Sequence, residues 1–170
     1  MSGNMHGMSV GFLLGLAANS AKHLPSFDWL QPCLQARDIV YIGLRDVEEP
    51  ERRFIHDLGI KAFTMQDVDR LGIGRVMEDT NSYLAGRDLH LSFDIDSLDP
   101  IWAPHTGTAS RGGLTFREGN FVCESLSATG RLRSMELVEI NPLLRPDLSV
   151  STTVESSLSL IASALGRTIL

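Results

Sequence analysis

Leu89-His90-Leu91-Ser92-Phe93-Asp94-Ile95-Asp96-Ser97-Leu98-Asp99-Pro100 is the stretch on which the reading of this chain turns. A short apolar run leads directly into acids two residues apart. Side chains alternate across a β-strand, so a strand carried through this run would point Asp94 and Asp96 to the same face. Two adjacent carboxylates repel each other unless water, donors or a cation separates them. A hard divalent ion is the simplest partner for such oxygen ligands. The bland alternative is an Asp-rich strand-to-loop turn, a place where Asp is common anyway.

The neighbouring sequence gives that strand a setting. Residues 39–44, 60–63, 89–93 and 135–140 are short, β-branched-rich and nearly continuous in apolar character. Strands buried on both faces have this pattern. Helical patterns lie between them. Residues 49–58 carry Phe54, Ile55 and Leu58 on one face, and residues 68–84 form a longer pattern broken near Gly72 and Gly74. Thr115-Phe116-Arg117-Glu118 predicts a capping box opening a helix to about Ala128, and Thr152-Thr153-Val154-Glu155 predicts a second, opening a helix to about Leu165. The alternation predicts an α/β protein, three-layer α/β/α, with a mostly parallel sheet. The long loop from Pro100 to Gly113 follows the acidic strand. Ligands in such sheets bind beyond the carboxyl ends of the strands, so Asp94, Asp96 and this loop stand where a site is expected.

Composition narrows the function classes. A chain of 170 residues fits one domain with a sizeable core, and its 43% hydrophobic and 21% charged residues are ordinary for a globular protein. The formal net charge of -6 argues against nucleic acid or an anionic membrane as the main partner and mildly favours a small cationic substrate. Cys33 and Cys123 form no CxxC pair and read as reduced core residues of an intracellular, cytoplasmic protein. The apolar run from Val10 to Ala18 has no Lys or Arg before it and is too short to cross a bilayer, so it reads as a core helix.

Polar residues collect at the other strand ends. The first strand runs into Gly43-Leu44-Arg45-Asp46-Val47-Glu48, and the last into Val138-Glu139-Ile140-Asn141-Pro142. The chain opens with Ser2-Gly3-Asn4-Met5-His6-Gly7. Taken singly, His6 reads as a turn residue and Glu139 as a cap or ion-pair partner. Together they place acids at several strand ends, the usual build of an α/β active site.

These segments, with Asp38–Val47, Asp69–Gly74, Thr106-Gly107-Thr108 and Gly113–Gly119, resemble arginases of the ureohydrolase superfamily, in the family's order and over nearly the whole chain. The Ser-Gly-Asn-x-His-Gly opening resembles arginase rather than agmatinase. The resemblance implies hydrolysis of L-arginine to L-ornithine and urea at a site with two Mn²⁺ ions, in a cytoplasmic enzyme that assembles as a trimer. It implies Asp94 and Asp96 as metal ligands, His6 as a proton relay and Glu139 as the partner of the guanidinium. Thr108 would help position the substrate, Ser2 and Asn4 would bind its α-carboxylate, and Asp46 and Glu48 would lie near its α-amino group. The family usually has Asp where Glu48 stands.

Two departures limit that reading. Arginases carry an upstream metal-binding His and an Asp-x-His-x-Asp segment before the Ser-Gly-Asn motif, and neither occurs in this sequence. His23, His56, His90 and His105 match no ligand position of the family. Residues 1–170 therefore resemble the C-terminal portion of a single arginase-like domain, incomplete at its N-terminus. The missing portion is expected to supply a strand lying between strands present here. A non-catalytic arginase-like protein that binds a paralogue or an amino acid is the alternative, with another ureohydrolase such as an agmatinase behind it.

Overall fold

In the computed structural model, which describes residues 5–16, 29–144 and 150–168, four strands form where β-branched, Leu and aromatic residues cluster. They are β1 (Val40–Leu44), β2 (Lys61–Thr64), β3 (Leu89–Asp94) and β4 (Leu132–Val138). The helices are α1 (Ser9–Leu13), α2 (Glu49–Asp57), α3 (Met65–Leu71), α4 (Ile73–Tyr83), α5 (Phe116–Ala128) and α6 (Ser151–Ala164). This is the α/β class read from the sequence. The strands pair as two two-stranded sheets, β1 with β2 and β3 with β4. The chain divides into two compact units, Met1–Tyr41 with Val47–Ala62, and Ile42–Asp46 with Phe63–Leu170.

The second unit holds a well-packed core. Met77 on α4, Leu89 on β3, and Val122 and Leu126 on α5 are buried together, with Ile42, Ile73, Leu84, Leu91, Phe121 and Leu132 packed against them. Thr115 caps α5 as its sequence predicts: its Oγ1 accepts from Glu118 N–H at 3.2 Å, and its own N–H donates to Glu118 Oε2 at 2.8 Å. Gly119 then lets α5 press inward. A Cβ there would stand 2.7 Å from Leu98 and 3.2 Å from Leu160 on α6. Asn120 Oδ1 accepts from Ser159 at 3.0 Å and Ser163 at 2.9 Å, a polar seam between the two helices.

Several expectations shift. The break near Gly72 is present: Gly72 has φ +77 and separates α3 from α4. β4 begins at Leu132, earlier than expected, because Arg133, Ser134 and Glu136 occupy exposed positions and hide its strand character. It ends before Glu139, whose φ of +65 no strand accommodates. The box at Thr152 does not form. α6 is preceded by Val150 in helical geometry, and the buried Thr153 hydroxyl accepts from His105 N–H at 3.1 Å instead. After a 3₁₀ turn (Met5–Met8), the N-terminal apolar run gives the short α1, with Phe12 buried; residues beyond Leu16 in that run lie outside the described ones. Cys123 is buried, and burial pushes its thiol up to about 12, so it is an inert packing group; Cys33, however, is exposed rather than in a core. Among the described residues no helix is long and apolar enough to cross a membrane.

The loop after β3 folds back on itself through Gly113. A parallel bridge joins Leu98 to Leu114, with Asp99 N–H on Leu114 O and Leu114 N–H on Ser97 O, each at 2.9 Å. A Cβ on Gly113 would sit 2.6 Å from Asp99 N and 2.7 Å from Ser97 O, both backbone atoms that cannot step aside cheaply. Gly113→Ala is expected to destabilise the protein by about 1–3 kcal/mol, the usual cost of overpacking. Gly107→Ala, in the same loop with open space around it, should be close to neutral. Urea denaturation of the two variants measures the difference.

Candidate active site

The parallel register of β3 and β4 assembles the acids. Asp94 pairs with Val138, so Glu139 leaves β4 at the end where Asp94 leaves β3. Parallel strands put their carboxyl ends side by side, where ligands of α/β proteins bind. Glu139 takes a left-handed backbone conformation, φ +65, which costs a non-glycine residue roughly 1–2 kcal/mol. The chain behind it is held by Asn141 N–H donating to His105 O at 3.0 Å.

Asp94 and Asp96 come together by a different route from strand alternation. β3 ends at Asp94, and Ile95–Ser97 form a 3₁₀ turn. Asp94 Oδ1 accepts from Asp96 N–H at 3.1 Å, capping that turn. Desolvation and then the Asp96 charge push the Asp94 carboxyl up to about 6, and Glu139 adds to the push. The geometry therefore gathers three carboxylates and leaves one of them poorly solvated. A cation or a proton relieves that repulsion.

The Pro100–Gly113 loop adds polar groups to this end of the sheet. Thr108 Oγ1 donates to Asp96 Oδ2 at 2.6 Å, fixing that carboxylate. Asp99 turns the other way: N–H groups of Ile101 at 3.1 Å and Gly112 at 2.8 Å bind its oxygens and hold its carboxyl below the usual range. Asp99 thus closes the loop rather than facing a ligand.

The remaining sequence candidates are less tightly gathered. Asp46 is exposed, two residues past β1 in the unit of the carboxylates. Glu48 and His6 belong to the other unit. Glu48 precedes α2, with its N–H on Glu51 Oε2 at 2.9 Å, so a helix-start role accounts for it locally. His6 is exposed in the 3₁₀ turn, its carbonyl accepting from Ser9 at 3.1 Å. Ser2 and Asn4 lie outside the described residues.

Two residues without a site role in the sequence reading stand out. Arg45, half-buried after β1, donates to Ser110 O from Nη2 at 2.8 Å and Nε at 3.2 Å, and also to Asp96 O. His105 is fully buried and links the loop to α6 through Thr153 and to the end of β4 through Asn141. The sequence marks Arg45 only as a charge at a strand end, and nothing local marks His105 as buried. Metal-binding capacity is limited: among the described residues no group of three or more His, Cys, Asp or Glu could hold a metal ion. Asp94 and Asp96 offer the hard oxygen donors that Mn²⁺ takes, but not the number of them.

Comparison with known proteins gives this arrangement a family. The arginase family model matches residues 1–166. The arginase of Coccidioides posadasii is 52% identical over 173 residues, covering 99% of this chain and 52% of that protein. Rat arginase-1 is 48% identical over 169 residues, covering 97% of this chain and 52% of its own length. The crystal structure of Bacillus subtilis arginase matches with a TM-score of 0.87 and 35% identity, covering 99% of this chain and 56% of that one. That of the cold-adapted arginase from Glaciozyma antarctica matches with a TM-score of 0.80 and 43% identity, covering 99% and 55%. The chain spans about half the length of the curated relatives it matches. On a family match along nearly its whole length, and on the fold and register that bring its acids together, the chain belongs to the arginase family.

Proposed function

We propose that this chain carries part of an L-arginine-hydrolysing site that releases L-ornithine and urea. The observation that carries the reading is the convergence of Asp94, Asp96 and Glu139, with Asp94 desolvated enough to raise its pKa to about 6. Such a cluster favours a cation, and arginine brings one in its guanidinium. Family membership supports this reaction; the acids supply the reason for a cationic substrate.

In this reading Glu139 pairs with the guanidinium and Thr108 positions it while holding Asp96. Ser2 and Asn4 bind the α-carboxylate, and Asp46 and Glu48 face the α-amino group. Hydrolysis requires water at the guanidinium carbon and a proton for the departing amine, which His6 delivers. Two Mn²⁺ ions are the family's cofactor. The described residues do not fit two such ions, because Asp94 and Asp96 leave most of a shell of roughly six ligands unfilled. No step is therefore assigned to metal. That shortfall favours a second reading: an arginase-like protein that binds an amino acid or a paralogue without hydrolysing it. The homotrimer and the cytoplasmic setting are likewise family-based proposals.

Titration calorimetry with Mn²⁺ is expected to give only weak binding to the chain as it stands. Tight uptake of two ions would show that the coordination shell is complete within this sequence.

The metal-free chain should show a specific pH dependence. The Asp94 carboxyl titrates near 6 when folded and near about 4 when unfolded, so between those values the folded state binds more protons. The Asp94 contribution to stability is therefore greatest below about pH 4 and is lost as pH rises through about 6. Asp94→Asn keeps the oxygen that accepts from Asp96 N–H and removes the charge. In EDTA it should be more stable than the parent at pH 8 and similar at pH 4, as read by thermal denaturation.

The activity test joins this chain to the half of a related arginase that it does not match. Mn²⁺-dependent urea release from L-arginine is the expected result. In that chimera Asp96→Ala should abolish activity, and His6→Ala should lower turnover with metal content intact. Glu48→Asp should be neutral or improve substrate affinity. A folded, metal-loaded chimera that binds arginine and releases no urea would select the non-catalytic reading.

A further inference from the structure

Arg45 is a half-buried cation whose named hydrogen-bond partners are all backbone carbonyls. Its Nη2 reaches both Ser110 O, at 2.8 Å, and Asp96 O. Its Nε doubles the contact to Ser110 at 3.2 Å, and longer contacts of 3.5 Å run to Gly43, Ser97 and Leu98. The guanidinium thus joins three pieces of chain: the end of β1, the turn carrying Asp96, and the far side of the loop carrying Thr108. A rigid planar fork can hold several carbonyls in fixed directions, which a lysine ammonium on a flexible stem cannot.

We propose that Arg45 is a positioning residue: by pinning the carbonyls of Asp96 and Ser110 it sets where the Asp96 carboxylate and the Thr108 hydroxyl stand. The functional part of this inference rests on the reading of Asp94 and Asp96 as cation ligands. Thr108 follows Asp96 by twelve residues and precedes Ser110 by two, so their 2.6 Å hydrogen bond closes across a loop that Arg45 clamps at both ends. Removing the clamp frees the turn and the loop to move apart. The Asp99 turn and the Leu98–Leu114 bridge remain, so the rest of the loop should stay closed.

Sign separates this role from a simple charge effect. A bare positive charge beside carboxylates repels a divalent cation, so its loss would tighten Mn²⁺ binding. Loss of a positioning group weakens it, by roughly tenfold or more for groups that orient metal ligands. The test uses the full chain as wild type, Arg45→Ala and Arg45→Lys, with Arg75→Ala, at an exposed position of α4, as a charge control. Amide NMR reads two quantities: hydrogen-exchange protection, and the Mn²⁺ concentration that broadens the signals of residues 94–96.

The expected result is loss of protection at Asp96 and at residues 107–111 in both Arg45 variants, with unchanged protection at Asp99 and Gly112, which the Asp99 turn and the bridge hold, and at Leu89, Val122 and Leu126. Both should require roughly tenfold more Mn²⁺ for broadening, and the control should not. Unchanged loop protection in Arg45→Lys overturns the proposal. So does tighter Mn²⁺ binding in Arg45→Ala, which would make Arg45 a charge and no more. Uniform loss of protection including the core would reduce it to a general stabiliser and overturn it too. If the wild type shows no broadening at residues 94–96, the cation-ligand reading fails by itself; selective loop release then still supports the clamp.

Discussion

The parallel pairing of β3 with β4 is the constraint on which the rest depends. Its register, Asp94 opposite Val138, places two acids that are far apart in sequence at one end of a sheet. A shift of one residue would turn every β4 side chain to the opposite face. α5 secures the pairing by packing Val122 and Leu126 on Leu89, and Gly119 allows the close approach. The capped start of α5 and the Leu98–Leu114 bridge then fix where the intervening loop must return.

Electrostatics makes that end of the sheet costly when empty of cations. Asp94 is partly desolvated beside Asp96 and Glu139, and all three effects push its carboxyl up. The fold does not relieve it with Arg45. That guanidinium spends its donors on carbonyls and lowers the Asp99 carboxyl, on the loop-closing side. The arginine serves the backbone that carries the acids. Stability is given up at these carboxylates, the common pattern where a site is built to bind charge.

The chain spans about half the length of its relatives, and its described strands form two separate pairs. Among the described residues, Asp94 and Asp96 offer hard oxygen donors, but no group of three or more His, Cys, Asp or Glu could hold a metal ion. Family membership and the limited donor count are compatible. The first follows from matched sequence and fold; the second concerns what these particular residues can coordinate.

Local chemistry in the sequence determined the elements. The apolar run before Asp94, the Thr115–Glu118 box and the Gly72 break each act within a few residues, so their outcome follows from side-chain type and spacing. The acids of the site were legible as well, because a doublet after an apolar strand and a Glu at a strand end are unusual enough to note. Other features escaped because their cause is distant in sequence. Leu132–Ser134 is strand because it pairs with Leu89 and His90, not because its residues favour it. The box at Thr152 fails because α6 starts at Ser151, after Val150, and the neighbouring Thr153 is turned inward to buried His105, forty-eight residues away. Asp94 and Asp96 meet through a cap on a 3₁₀ turn, which needs the strand to stop at Asp94. The sequence by itself determined the family, the element order and where the candidate acids fall along the chain. Only the tertiary structure decided the register that brings Glu139 to Asp94, and the reach of Arg45 across the loop. Both depend on backbone carbonyls and ladder pairings that no residue type announces.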